Sequence, residues 1–126
     1  MMNGKNIYEQ GQILFIKFPY KDNLGNLIEK KRPVLVISKK DYNLRNNSLI
    51  ICPITSNIRK WENSIFLDSN SLEFGSLKRD SELRVDLVSN IKKIGILTSI
   101  GFLKEDLLKK AILNLKDLIS IEKLKI

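Results

Sequence analysis

The chain alternates short apolar runs with polar segments over its first hundred residues. Runs of four to seven residues rich in Ile, Leu, Val and Phe are typical of buried strands, and they predict strands at residues 12–18, 33–37, 49–54 and 64–67. Pro19 should end the first strand, because proline has no N–H to donate to a sheet. Polar and turn-forming residues between these runs predict a long loop at 20–31, a short helical turn at 39–45 and a second loop at 56–63.

A regular alternation follows at residues 82–88. It predicts a strand in which Leu83, Val85 and Leu87 point inward. Arg84 and Asp86 would then share the opposite face, about 7 Å apart along the strand. A further strand is predicted at residues 91–97, after a turn at 89–90.

The end of the chain changes to a helical period. Apolar residues recur at helical spacing while charged residues fill the other face; the apolar set is Leu103, Leu107, Leu108, Ala111, Ile112, Leu115, Leu118 and Ile119. Short strands followed by one amphipathic helix predict a mainly β fold of the α+β class, a small, partly open barrel or bent sheet with a terminal helix. No linker or repeat is visible, so we expect residues 1–126 to form a single domain.

Composition narrows the range of functions. The 126 residues are 43% hydrophobic, which is enough for one folded domain. There is no histidine, the usual acid–base residue near neutral pH and a common zinc ligand. Cys52 is the single cysteine, so we expect no disulfide, no thiolate metal cluster and no cofactor. Its place inside an apolar run favours a packed thiol over a reactive one.

The net charge of +8 predicts attraction to polyanions. Nucleic acid, an anionic membrane surface and an acidic protein are the three classes of partner. No apolar run reaches the roughly 18 residues of a membrane span, and no apolar signal region follows Met1, so we expect a cytoplasmic protein without a membrane partner. Charge alone does not separate nucleic acid from an acidic protein.

Polar residues at the strand ends are the candidates for chemistry. Arg32 precedes the second strand and Thr55 follows the third, so pairing of these strands would place a cation near a hydroxyl, a combination that binds phosphate. By residue type and place alone, Arg32 and Thr55 are more simply a solvated charge and a turn hydroxyl. Arg84 and Asp86 would be a surface ion pair. Trp61 is either partly core or a platform on which bases stack.

Four blocks, taken in order, resemble the MazF/PemK toxins. They are residues 11–14 (Gly-Gln-Ile-Leu), 31–38 (Lys-Arg-Pro-Val-Leu-Val-Ile-Ser), 53–56 (Pro-Ile-Thr-Ser) and 79–86 (Arg-Asp-Ser-Glu-Leu-Arg-Val-Asp). The last block is similar to the family's Ser or Thr followed by Arg-x-Asp. No single block is specific, but their order and spacing across most of the chain, with the terminal helix in place, carry the resemblance.

The resemblance implies an SH3-like barrel of the MazF/CcdB type that forms a homodimer. It also implies the toxin of a type II toxin-antitoxin system, a metal-independent endoribonuclease. Such enzymes cut single-stranded RNA to 2′,3′-cyclic phosphate and 5′-hydroxyl ends, and an antitoxin with an acidic tail blocks them. By resemblance, Arg32 and Thr55 match active-site residues of the family. Arg84 and Asp86 match its Arg-x-Asp pair, to which acid and base roles are assigned.

Several neighbouring residues are candidates for RNA binding, because aromatic rings stack on bases and cations bind phosphates. They are Lys31, Ser56, Arg59, Trp61 and Tyr20.

The chain also departs from the family pattern. Many relatives carry a His-Glu pair in the loop before the Arg-Pro block, where this chain has Glu29 as its one acidic candidate, and Leu87 replaces the glutamine after Arg-x-Asp. Two other interpretations stay open. One is a CcdB-like toxin that binds a protein without catalysis, although the chain lacks that branch's Trp-Gly-Ile end. The other is a catalytically inactive barrel that binds nucleic acid.

Overall fold

The structure is a computed structural model that describes residues 7–122, apart from the side chains of residues 18–20. This part of the chain forms two helices, α1 (Lys40–Arg45) and α2 (Glu105–Ile119), and a 3₁₀ turn, Lys93–Gly95. Its eight strands are β1 (Gln12–Lys21), β2 (Leu27–Val36), β3 (Ser48–Thr55), β4 (Ile65–Leu67), β5 (Leu72–Gly75), β6 (Ser81–Leu83), β7 (Ser89–Lys92) and β8 (Ile96–Leu103).

The strands form one antiparallel sheet in the order β4-β6-β3-β2-β1-β8-β5, and β7 also pairs with β3. The sheet curves into a half-barrel, and α2 follows it at the end of the chain. The mainly β fold with a C-terminal helix, predicted from the sequence, is confirmed.

The first hairpin is longer than predicted. β1 continues through Pro19 to Lys21 and β2 begins at Leu27, so the loop predicted at 20–31 is wrong and only residues 22–26 turn. Proline is tolerated here because β8 pairs with β1 no further than Ile16, so that within residues 7–122 no strand pairs with the rest of β1 on that side. Asp22 closes the turn by accepting two backbone N–H groups at 2.9 Å.

The alternating segment at 82–88 is a strand only at its start. β6 ends at Leu83, and a turn follows in which the N–H of Leu87 donates to the carbonyl of Arg84 at 3.2 Å. Leu83 and Val85 are buried as predicted, whereas Leu87 is 46% exposed and the prediction that it points inward is wrong. The turn breaks the two-residue period, so side chains beyond Val85 no longer follow the face that alternation assigned to them.

The prediction of one continuous strand at residues 91–97 is also wrong. β7, the 3₁₀ turn and β8 divide this segment, and β8 then runs on to Leu103, which the helical pattern had included. β5 was not predicted, because only two of its four residues, Leu72 and Phe74, are large and apolar.

The sheet is buried on both faces. α2 packs Leu107, Leu108, Ala111 and Leu115 against one cluster, whose members on the central strands are Ile13, Leu35, Cys52 and Ile54. The opposite face buries Leu14, Ile16, Val34, Val36, Leu49 and Ile51. Because successive strand residues point to opposite faces, two buried faces explain why β2 and β3 read as continuous apolar runs. Neither helix in residues 7–122 combines the length and apolar character needed to cross a membrane.

Candidate active site

β2 and β3 bring Arg32 and Thr55 to the same end of the sheet. The two strands pair antiparallel, with Val34 opposite Pro53. Two residues further along this register, Arg32 comes opposite Thr55 on the same face. Val34 on this face is buried, whereas Arg32 and Thr55 are half-buried. The face therefore passes from the core to the solvent between these two pairs of positions. The strand pairing that the sequence predicted is therefore present.

A shallow pocket of about 140 Å³ opens at this end of the sheet. Five of the predicted site residues line it together with Pro53, Asn57 and Leu87; the five are Arg32, Thr55, Arg59, Trp61 and Arg84. Three of these are arginines and none of the eight lining residues is acidic. The pocket is therefore suited to an anion that accepts several hydrogen bonds, such as a phosphodiester.

Arg84 reaches the pocket because it continues the pairing of β6 with β3. Its backbone N–H donates to the carbonyl of Pro53 at 3.0 Å, one residue beyond the end of β6. The guanidinium carbon lies 4.3 Å from the centroid of the Trp61 ring, a cation–π contact that fixes the plane of the guanidinium.

Arg84 and Asp86 form a two-pronged ion pair. Nε of Arg84 donates to Oδ1 of Asp86 at 2.8 Å, and Nη2 donates to Oδ2 at 2.7 Å. Through this hydrogen bonding, the guanidinium lowers the pKa of Asp86 from its ordinary 3.8, and the carboxylate raises the pKa of Arg84. The two residues meet in the turn after Leu83 rather than on the continuous strand that the alternation predicted.

The other predicted residues lie outside the pocket lining. Asp86 pairs with Arg84 of the lining, and Lys31 and Ser56 are exposed residues next in sequence to Arg32 and Thr55. The side chain of Tyr20 lies outside the described part of the structure. Glu29, considered as a substitute for the acidic residue of relatives, is 63% exposed and pairs with Lys17 at 3.8 Å instead.

Glu82 is a residue of this region that the sequence reasoning missed. It is 2% exposed, and its carboxylate accepts hydrogen bonds from the backbone N–H groups of Lys60 at 2.8 Å and Arg59 at 3.4 Å. The alternation of residues 82–88 did place Glu82 on the polar face with Arg84. The loop that covers it carries no comparable pattern.

Cys52 lies on the face of β3 opposite to the pocket and is buried, which confirms the packed thiol. Burial, with a smaller contribution from the charge of Asp86, raises the pKa of its thiol to about 12. A thiol in this state is protonated at neutral pH, so it is not a nucleophile for the pocket.

Comparisons with known proteins identify the family and the fold of the chain. A family model described as PemK-like, MazF-like toxin of type II toxin-antitoxin system matches residues 9–119. Among curated protein sequences, none matches the chain.

Solved structures show the same fold. The toxin MazF-mt6 of Mycobacterium tuberculosis superimposes with a TM-score of 0.68 at 16% identity, covering 89% of this chain and 99% of that one. A chain of the MazE-MazF complex of Deinococcus radiodurans gives 0.72 at 17% identity, covering 92% and 99%. An endoribonuclease in complex with its cognate antitoxin, from a mycobacterial species, gives 0.68 at 12% identity, covering 93% and 99%.

Identities this low show the fold alone, and the MazF-like fold confirms the predicted small, partly open barrel with a C-terminal helix. The family model is the stronger finding, because it spans most of the chain, including every residue that lines the pocket. The chain therefore belongs to the family of PemK-like, MazF-like toxins of type II toxin-antitoxin systems.

Proposed function

We propose that the protein is a metal-independent endoribonuclease that cuts single-stranded RNA at short sequences. The observation that carries this proposal is the convergence of Arg32, Thr55 and Arg84, from three separate segments, on one pocket without acidic lining. Membership of the toxin family, and a similar fold in an endoribonuclease bound to its antitoxin, support it further.

The proposed reaction is an internal transfer at phosphorus. The ribose 2′-oxygen forms a bond to phosphorus while the bond from phosphorus to the 5′-oxygen of the next nucleotide breaks. The 2′-hydroxyl loses a proton to a base, and the departing 5′-oxygen gains one. The products are a 2′,3′-cyclic phosphate and a 5′-hydroxyl.

Charge stabilisation is the larger part of this mechanism. Asp86 is the candidate base, but its lowered pKa makes it a weak one at neutral pH. Arg84 is the candidate acid, and its raised pKa makes it a poor proton donor. Arg32, Arg84 and the Thr55 hydroxyl would instead donate hydrogen bonds to the phosphate oxygens as negative charge develops on them.

Arg84 keeps donors for this role although it pairs with Asp86. A guanidinium has five N–H donors, and the ion pair uses one on Nε and one on Nη2. The Nη1 group and the second hydrogen of Nη2 form another fork of the same planar group. Asp86 and Trp61 would therefore orient Arg84 while this second fork binds the phosphate.

Alanine variants of the pocket test the proposal. Loss of one donor to the developing charge should lower kcat/KM by roughly 100- to 1,000-fold, so Arg32→Ala and Thr55→Ala should fold normally and cut RNA at least that much more slowly. Arg45→Ala and Thr98→Ala make the same changes at exposed positions outside the pocket and should keep full activity. Near-normal cleavage by either pocket variant would contradict the assignment.

The substrate itself provides a second arm of this test. RNA with a 2′-deoxy nucleotide at the cut position should resist cleavage, and cleavage should persist with a chelator present. Cleavage of the deoxy substrate would exclude 2′-hydroxyl attack, and tight binding without any product would indicate an inactive RNA-binding barrel.

We also propose that the toxin acts in the cytoplasm as a homodimer and that an acidic antitoxin blocks it. The net charge of +8 supports an acidic partner, since an acidic peptide and an RNA backbone are attracted by the same field. Light scattering of the purified protein, alone and with the product of a neighbouring gene, gives both stoichiometries.

A further inference from the structure

Glu82 is a carboxylate in a place where strands are usually apolar. It is the middle residue of β6 and is 2% exposed, between the buried Ser81 and Leu83. Burying a carboxylate is costly unless hydrogen bonds replace its contacts with water. Its partners come from the loop between β3 and β4, residues 56–64, which we call the covering loop.

Each oxygen of the Glu82 carboxylate accepts a hydrogen bond from the covering loop. Oε2 accepts the backbone N–H of Lys60 at 2.8 Å, and Oε1 accepts the N–H of Arg59 at 3.4 Å. Consecutive N–H groups that converge on one anion form a concave anion site. Lys60 has a left-handed backbone, with φ of 55°, which a lysine seldom adopts unless the surroundings hold it. The carboxylate therefore stabilises an unfavourable backbone conformation of the loop.

The position of Glu82 in the sheet connects the covering loop to the pocket. Glu82 pairs with Thr55 on one side and with Phe66 on the other, so the three side chains share one face. Trp61 directly follows the two anchored amides, and its ring lies against Arg84. Arg59 and Trp61 both line the pocket. The carboxylate of Glu82 thus attaches part of the rim of the pocket to the sheet.

We propose that Glu82 is a positioning residue that anchors the covering loop and so sets where Arg59 and Trp61 meet the RNA. The part that concerns RNA rests on the proposed function, whereas the anchoring does not. Glu82 does not act as a base in this scheme, because it is 2% exposed and does not line the pocket.

Trp61 makes the anchoring measurable, because it is the single tryptophan of the chain. Glu82→Gln keeps the shape of the side chain but leaves only one acceptor oxygen, and Glu82→Leu removes the charge and both acceptors. We expect the emission maximum of Trp61 to shift and its quenching by acrylamide to rise in both variants. Glu62→Gln makes the same chemical change at an exposed position of the covering loop and should leave the fluorescence unchanged.

RNA cleavage measures the consequence for the pocket. Misplacement of binding groups by about 1 Å can cost up to 100-fold in rate, so we expect kcat/KM to fall by about 10- to 100-fold in both Glu82 variants. The shape of the pH profile should not change. Loss of one limb of the profile would indicate that Glu82 acts as an acid or base and would overturn the positioning role.

The fluorescence and cleavage experiments test the anchoring and the positioning independently of each other. A folded Glu82 variant with wild-type quenching would overturn the anchoring, and altered quenching with unchanged cleavage would overturn the positioning. If the wild-type protein cuts no RNA, the proposed function fails while the quenching result still decides the anchoring.

Glu82→Gln is the milder variant, because it keeps the shape of the side chain and one acceptor oxygen, whereas Glu82→Leu leaves the N–H groups of Arg59 and Lys60 without this acceptor. Amide hydrogen exchange of the wild-type protein needs no variant at all. The N–H groups of Arg59 and Lys60 should exchange slowly for a loop, and rapid exchange at both would overturn the proposal.

Discussion

Arg84 shows how the surroundings of a single residue decide what it does. As an exposed ion pair with Asp86 it would contribute well under about 1 kcal/mol to stability. Its side chain is 15% exposed, however, and Trp61 packs against the guanidinium. The ion pair and the ring therefore fix the orientation of the guanidinium beside the pocket.

The lowered pKa of Asp86 predicts a pH dependence of stability. A carboxylate whose pKa is lower in the folded than in the unfolded protein stabilises the fold above its ordinary pKa of 3.8, and this contribution is lost as the pH falls toward the lowered folded pKa. The difference in free energy of unfolding between wild type and Asp86→Asn should thus be constant near neutral pH and shrink below about pH 4.

Urea unfolding at a series of pH values measures this difference. Asp117→Asn is a suitable control, since it makes the same change at an exposed position of α2. A difference between wild type and Asp86→Asn that stays the same down to pH 3 would contradict the ion pair.

At the scale of elements, local pattern predicted the central strands well. β2 and β3 are predictable because a strand with two buried faces has a continuous apolar run. Their antiparallel pairing then places Arg32 and Thr55 at the same end of the sheet. The length of β1 was not predictable from proline, because it depends on where β8 stops pairing. The hydrogen bond from Lys60 to Glu82 was also not predictable from the sequence, because it depends on the direction in which the backbone N–H groups of the loop point.

The close approach of β5 and β8 predicts a stability effect at Gly101. A Cβ atom at this position would lie 1.9 Å from the carbonyl oxygen of Phe74, so one of the two strands must move. We expect Gly101→Ala to lower the free energy of unfolding by roughly 1–3 kcal/mol, as overpacking does elsewhere.

Gly95→Ala is the matched control for Gly101→Ala. Its Cβ would meet nothing nearer than the carbonyl oxygen of Lys17 at 3.5 Å, an ordinary contact. Chemical denaturation of both variants checks the prediction. Equal stability of Gly101→Ala and wild type would mean that β5 does not pair with β8 as described.

At the scale of the molecule, charge should govern RNA binding. Each phosphate contact on a single strand contributes about −0.7 to the slope of log K against log salt. Contacts by Arg32, Arg59 and Arg84 would give a slope of about −2, measured with an RNA that carries a 2′-deoxy nucleotide at the cut position.

Arg59→Gln should reduce the magnitude of this slope by about 0.7. Lys110→Gln removes a charge from α2, outside the pocket, and should leave the slope unchanged. A slope that Arg59→Gln does not alter would remove Arg59 from the set of phosphate contacts.

The row that runs from Arg32 through Thr55 to Glu82 takes one residue from each of three strands. Those positions are separated by 23 and 27 residues in the chain. Only the pairing of the strands brings them together, because no turn or helix within residues 32–82 connects them directly. A truncated product that lacks any one of the three strands is therefore expected to be harmless to the cell. We therefore expect toxicity to depend on the folded sheet and not on any single segment of the chain.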